Sequence, residues 1–360
     1  MDGPLVTIVT PSLNQGRFLR AAIESVLSQD YPRIEYLIQD GGSTDETRAV
    51  AAEYSSRLTF VPEPDRGQSH ALNKGFARAR GEVLAWINAD DLLLAGAVSA
   101  AVEALAGHPE AGAVYGDGIR IDEAGRKLGR FPFTEPFNLW KLVHLYDYVL
   151  QQTLFMRRSE FEAAGRLDES LHYALDWDLL IRLGLRRPLV FIPKMMGAIR
   201  EHPAAKSFRG GRARVAEIAR VLRRHSGKRW PPGAVLAALE TWRGPFPVHI
   251  ATGRWIERLR REAQGLYRDG WAAPRMRYMV PPGERPIRVR GAAPAPLVLA
   301  VYSNGRLATR RPVEAGCFEF ELDEPGPAHL EFRASRSFRP SSNEQDGRRL
   351  AWVVRAIGRD

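Results

Sequence analysis

One cysteine in 360 residues, Cys317, leaves no partner for an intrachain disulfide and excludes a cysteine-built zinc site. The chain therefore needs no oxidising compartment. Long apolar runs are missing too: nothing approaches the ~20 apolar residues of a membrane span. MDGP leads into a strand pattern without the basic and apolar regions of a secretory signal. A cytoplasmic location is expected. Acidic residues are scarce in one stretch only. Net charge is −4 over residues 1–200, +11 over 201–280 and +3 over 281–360, so the whole chain's +10 comes from its middle. A surplus so placed suggests an anionic partner: lipid head groups at the inner face of a membrane, a lipid-linked phosphate or nucleic acid. With 44% apolar residues, the composition is that of a soluble globular protein of two or three domains.

What is present first is alternation. VTIVT (Val6–Thr10) reads as a strand ended by Pro11, and Phe18, Ala22, Ile23, Val26 and Leu27 follow at helical spacing. IEYLIQ (Ile34–Gln39) runs into QDGGSTDET, Leu58–Val61 into PEPDRGQSH, and Val83–Ile87 into NADD, with helical patterns between them. Short turns linking alternating strands and helices predict a mainly parallel, doubly wound sheet with its polar loops at the strands' carboxyl ends. Ala113–Gly116, Gly118–Ile121, Thr153–Met156 and Leu189–Ile192 read as further strands, with helices at 137–144, 159–164 and 176–185. Residues 206–280 read as mostly helical, including an apolar stripe of Trp255, Ile256 and Leu259 among arginines, either interfacial or core-facing. From Pro281 the pattern changes to short alternating strands with an Asn304-Gly305 hairpin signal. The expected domains are 1–210, a basic helical segment 211–281 and a β-sandwich 282–360 behind a stiff PPGERP linker. The sandwich is expected to bind glycan or mediate assembly, and Arg348-Arg349 within it reads equally well as a solvated turn.

The segment LAWINADDLLL (Leu84–Leu94) places Asn88, Asp90 and Asp91 at the end of a buried strand. Paired carboxylates there suit Mg²⁺ or Mn²⁺ bridging a diphosphate, as hard oxygen ligands do. A helix cap at Asp91 and a solvated turn at Asp90 are the alternative.

Taken in order, TPSLNQGRFLRAAIESVLSQDYP, QDGGSTDET, EPDRGQSHALNKGFARARGE, INADDLL, QQTLF, ALDWDLLIRL and REH resemble the family 2 glycosyltransferases over roughly residues 5–210. The resemblance implies an α/β GT-A nucleotide-diphospho-sugar transferase fold with a Rossmann-like mixed sheet, followed here by the helical segment and the antiparallel β-sandwich. It implies an inverting transfer from a nucleoside-diphosphate sugar, UDP-sugar favoured, to a glycan or lipid-linked acceptor in surface polysaccharide or glycolipid assembly. Thr10, Pro11 and Ser12 would floor the nucleotide base, and Asp40 would recognise it, an acceptor-only carboxylate suiting a uracil N–H. Asp45 reads as a helix cap. Asp65 and Arg66 would lie near ribose and phosphates, and Asn73 and Lys74 would contact the donor, with a surface-helix role as the alternative.

The family's Asp-x-Asp metal motif is here Asn88-Ala89-Asp90, followed by Asp91, so a divalent metal would rest on Asp90 with His202, and Asp91 as an optional second position. Asp176 matches the general base; Leu175 replaces the family's frequent Glu, with Asp178 a substitute candidate. Gln151, Gln152 and Trp177 would line the acceptor side, Trp177 alternatively being core. Two other functions stay open: a catalytically weak sugar-binding protein, and a transferase acting on modified nucleic acid, which no base-reading motif supports. The oligomeric state is left open.

Overall fold

The computed structural model describes residues 3–132, 134–206, 210–242, 271–280, 286–324, 328–338 and 350–358. The chain divides into two units, residues 1–137 with 141–241 and residues 138–140 with 242–360.

The first unit is built on one mixed sheet. Its elements are β1 Val6–Ser12, α1 Gly16–Leu27, β2 Ile34–Asp40, α2 Thr47–Ala52, β3 Thr59–Pro62, α3 Gln68–Arg78, β4 Val83–Trp86, β5 Leu92–Leu93, α4 Ala97–Gly107, β6 Ala113–Ile121 and β7 Lys127–Arg130. Then come α5 Leu139–His144, a 3₁₀ turn Gln151–Thr153, β8 Phe155–Arg157, α6 Arg158–Ala163, α7 Leu175–Arg186 and β9 Leu189–Arg200. Strand order is β3-β2-β1-β4-β8-β6-β9-β5, with β7 on β6. Strands β3, β2, β1 and β4 run parallel, β8 is antiparallel to both neighbours, and β9 is parallel to β6. Val6–Thr10 are all buried, as in a strand covered on both faces. Phe18, Leu19, Ala22, Ile23 and Val26 form the inward stripe of α1. Each such buried Leu or Ile contributes about 1.5–3 kcal/mol by leaving water. This is the GT-A-like architecture expected.

Several elements depart from the sequence reading. Pro11 does not end β1; it pairs in register with Gln39, while β4 leaves β1 after Val9. A residue without an N–H is tolerated where the ladder is one-sided. The two short strands expected around Gly116–Gly118 are one, with register shifts at Asp117. Strand β9 continues eight residues beyond Ile192, to Arg200.

Helices α8 (Gly211–Ser226) and α9 (Pro232–Trp242) follow, in the same unit. Part of their basic surplus is spent internally: Arg224 pairs with Asp168 at 2.8 Å, Arg220 donates to Ser170 O at 3.1 Å, and Arg223 to Arg229 O at 2.9 Å. Helix was expected through residue 280. Instead, Trp271–Ala272 (β10) and Arg275–Val280 (β11) are strands, so the β unit begins before Pro281. Met276 and Val280 bury on alternate positions there, a period-2 pattern hidden between arginines. The Trp255 stripe, residues 281–285 of the linker and Arg348-Arg349 lie outside the described residues.

The second unit adds β12 Ile287–Ala293, β13 Leu297–Ser303, β14 Arg306–Val313, β15 Gly316–Leu322, β16 Ala328–Ala334 and β17 Trp352–Gly358. Two antiparallel sheets, β10-β17-β12-β15 and β11-β16-β13-β14, enclose Trp352, Phe332, Val289, Leu299 and Val301. That is the expected sandwich. Among the described residues no helix is long and apolar enough to cross a membrane.

Candidate functional site

The carboxyl ends of β1, β2 and β4 gather the early motifs. Ser12 and Asp40 are register partners, both buried, and the Ser12 hydroxyl has no partner among the described residues. Asp40 folds back on its own loop: Oδ2 accepts Gly42 N at 3.1 Å and Ser43 N at 2.9 Å, and Oδ1 accepts Ser43 Oγ at 2.5 Å. A carboxylate has about four acceptor positions, so one is left over. Asp65 lies against the same turn, where a Cβ on Gly41 would collide with Asp65 Oδ2; its Oδ1 accepts Gly67 N at 2.7 Å. Thr10 instead points into the core, bonded to Tyr36 Oη at 3.0 Å. Asp45 does what a cap does, accepting Thr47 N at 3.0 Å and also Gly16 N at 2.9 Å at the start of α1.

The metal-type motif is organised by tertiary contacts. Pairing of β5 with the far end of β9 (Leu92 with Ala198) brings His202 to Asp90, Nε2 to Oδ2 at 3.0 Å. The imidazole is buried, tilted at 49° against Phe18 with ring centroids 4.9 Å apart, and Arg17 lies 3.4 Å from Nδ1. Asp91 is held by protein on both oxygens: Oδ1 accepts Arg200 N at 2.9 Å, and Oδ2 accepts Asn88 Nδ2 at 2.9 Å and Gln152 Nε2 at 2.5 Å. Burial and the neighbouring Asp90 charge push its carboxyl up to about 7. Asp91 thus holds the loop while Asp90 faces His202. Asn88 Oδ1 accepts Gln68 Nε2 at 2.8 Å, and Gln68 Oε1 accepts Lys206 Nζ at 2.9 Å.

No group of three or more His, Cys, Asp or Glu is clustered for a metal among the described residues. Two donors, Asp90 and His202, nevertheless fit an ion that takes one or two protein ligands and fills its shell with phosphate and water.

Asp176 sits in the first turn of α7, partly buried, with Oδ1 accepting Trp177 N at 2.9 Å. Burial raises its carboxyl above the ordinary 3.8, while Trp177 N, Lys206 and Arg214 oppose the rise. Asp147 lies near enough that the two charges repel, and burial followed by Asp176 raises it well above 3.8. Neither carboxylate forms an ion pair among the described residues. Lys206, desolvated down to about 8, feels both Asp176 and Glu217.

The glycosyl transferase family 2 model matches residues 7–160. A PGL/p-HBAD biosynthesis glycosyltransferase of Mycobacterium bovis BCG is 32% identical over 187 residues, 51% of this chain and 70% of the relative. The chain belongs to glycosyl transferase family 2. An uncharacterized glycosyltransferase of Rickettsia typhi is 29% identical over 49% of this chain, and the match spans only 57% of that relative's length. The structure of S. aureus TarS 1-349 in complex with UDP is similar at 17% identity and a TM-score of 0.48, over 66% of this chain and 70% of that one.

In this family 2 member the other expected residues are tied elsewhere. Asn73 spends its amide on Leu167 and Glu169, Lys74 pairs with Glu63 at 2.6 Å, and exposed Arg66 pairs with Glu169 at 2.6 Å. Buried Asp178 is occupied by Arg182 and His225 at 2.7 and 2.8 Å. Gln151 donates to Trp86 O and Gln152 to Asp91, and Trp177 is core, bonded to Leu142 O at 2.8 Å.

The sequence reading missed Asp147, Lys206 and Glu217, none of which has a local pattern to mark it. Glu217, on α8, accepts three consecutive backbone N–H groups ahead of α7: His172 at 2.9 Å, Tyr173 at 2.5 Å and Ala174 at 2.7 Å. It replaces the side-chain cap that α7 lacks, with a charge suited to a helix N-terminus. Glu217→Ala is expected to lower unfolding free energy by about 2 kcal/mol, and Glu217→Gln by about half of that, in urea titrations. A loss below about 0.5 kcal/mol for the alanine variant would show that water replaces the carboxylate.

Proposed function

We propose that this chain is an inverting, metal-dependent glycosyltransferase, moving a hexosyl group from a nucleoside-diphosphate sugar, UDP-sugar first, to a hydroxyl of a glycan or lipid-linked acceptor. The observation that carries the reading is the pairing of Asp90 with His202 in the chain that also presents Asp176 with a raised, partly buried carboxyl. Asp40 and Ser12 would receive the base, the spare acceptor position of Asp40 taking the uracil N–H. Asp90 and His202 would hold Mn²⁺ or Mg²⁺, which when bound supplies positive charge against the diphosphate leaving group. Ionised Asp176 takes the proton of the acceptor hydroxyl. The oxygen then bonds to the anomeric carbon as the bond to diphosphate oxygen breaks, which inverts that carbon. The PGL/p-HBAD name of the mycobacterial relative supports a role in cell-surface glycan or glycolipid assembly. A cytoplasmic enzyme resting on the inner membrane face would meet such an acceptor.

The test is thermal unfolding with UDP-, GDP- and dTDP-sugars, with and without Mn²⁺. At a hundredfold excess over Kd, one donor class should stabilise the protein by about 2.7 kcal/mol, only with metal, and not in Asp90→Ala. If no donor moves the midpoint, a sugar-binding role independent of nucleotide takes its place.

A further inference from the structure

The two sheets of the β unit differ in how their outer faces handle charge. On the β12 sheet the ladder sets Arg288 against Glu321 and Arg290 against Glu319, and the pairs close at 3.0 and 3.1 Å. Those two arginines are matched within the sheet. On the β13 sheet the ladder sets Arg275 directly against Arg333, then Ala300, then Arg310. Like charges directly opposite each other destabilise a sheet. The next row runs Arg277, Glu331, Tyr302 and Leu307. One carboxylate, Glu331, therefore faces three guanidiniums, at 2.6 Å from Arg333, 3.1 Å from Arg275 and 3.2 Å from Arg277. Arg310 has no partner among the described residues. The side chains of Arg275, Arg277 and Arg333 remain 60%, 44% and 45% exposed, and among the described residues of this unit none covers the row.

We propose that this outer face binds a linear anionic glycan. The row Arg275, Arg333, Arg310 crosses four strands, about 14 Å at ~4.8 Å per strand, and lies along a line. Planar guanidiniums grip carboxylate or phosphate oxygens two at a time, which suits oxyanions repeated along a chain. A membrane is less well matched, because four arginines against one glutamate fall at the lower limit of a lipid-docking cluster of about 4–8 cations. Leu307 is the single large apolar residue exposed in these two rows. Single-stranded nucleic acid wants a bare aromatic face, and the Tyr302 ring is covered by the Arg333 guanidinium at 4.2 Å. This binding does not depend on the transfer reaction proposed above.

The experiment measures binding of the full chain to alginate, a polyuronate, and to polyphosphate, at about 50 and 200 mM salt. Neutral dextran, an oligonucleotide and phosphatidylglycerol vesicles serve as comparators. Binding to alginate is expected, and binding to polyphosphate without alginate would show an inorganic polyanion site and overturn the proposal. Arg310→Gln with Arg333→Gln should weaken alginate binding about tenfold and lower the salt slope by about 2. Arg288→Gln with Arg290→Gln, the same charge loss on the other sheet, should change affinity less than twofold. Should the double variant unfold, Arg310→Gln alone, on an edge strand, is expected to weaken binding about threefold. Equal losses in both pairs, equal binding of dextran, or binding confined to the oligonucleotide or vesicles overturns the proposal.

Discussion

Asp176→Asn is expected to slow release of nucleoside diphosphate from the stabilising donor by about a thousandfold, with donor-induced stabilisation unchanged. The amide keeps the shape and the contact with Trp177 N but takes up no proton, and a positioned base contributes about 10²–10⁴ in rate. The pH dependence follows from the direction of the shift. A base works only when ionised, and burial raises this carboxyl above 3.8. Activity in the wild type should therefore fall with falling pH earlier than for an ordinary aspartate. Turnover in Asp176→Asn within tenfold of wild type would assign proton removal elsewhere.

Asp91→Ala is expected to cost about 3 kcal/mol in urea unfolding and to abolish donor-induced stabilisation. The substitution leaves Arg200 N, Asn88 Nδ2 and Gln152 Nε2 without their acceptor, and each buried orphan costs about 1–3 kcal/mol before relaxation. Those three donors belong to β9, the motif loop and the 3₁₀ turn, so the loop carrying Asp90 loses its frame. Asp91→Asn, which keeps one carbonyl oxygen, should lose about 1 kcal/mol. The folded carboxyl ionises at about 7 against 3.8 unfolded, so ionising it costs the wild type stability as pH rises through that window. The deficit of the alanine variant should narrow over the same range. A deficit below about 1 kcal/mol at pH 5 would mean that water has taken the place of the carboxylate.

The order of strands and helices through Ala113, apart from the two-residue β5, the carboxyl-end location of Asp40 and Asp90, and the place of Asp176 in the first turn of a helix all follow from local patterns. Period 2 and period 3.6 are local properties, and so are the loops they frame. The sandwich was legible for the same reason, with Trp352 and Phe332 alternating inward as expected. The start of that unit was not, because Arg275 and Arg277 mask two buried positions of β11.

Beyond the Asp90–His202 pair that the family resemblance implied, tertiary structure alone decided which polar residues meet. His202 reaches Asp90 because β9 runs on to Arg200 and pairs with β5, a contact across 112 residues that no spacing encodes. Asp91 and Asp90 are adjacent in sequence and equal in chemistry, yet one is held by three donors while the other faces the imidazole. The two sit in a tight turn, closed by Asp91 N on Asn88 O at 3.1 Å, so no strand period assigns their sides and only the packed partners say which one is core. Glu217 capping α7 from another helix, and Asp147 facing Asp176, belong to the same class: the residue types come from the sequence, but burial and proximity set their charge and role.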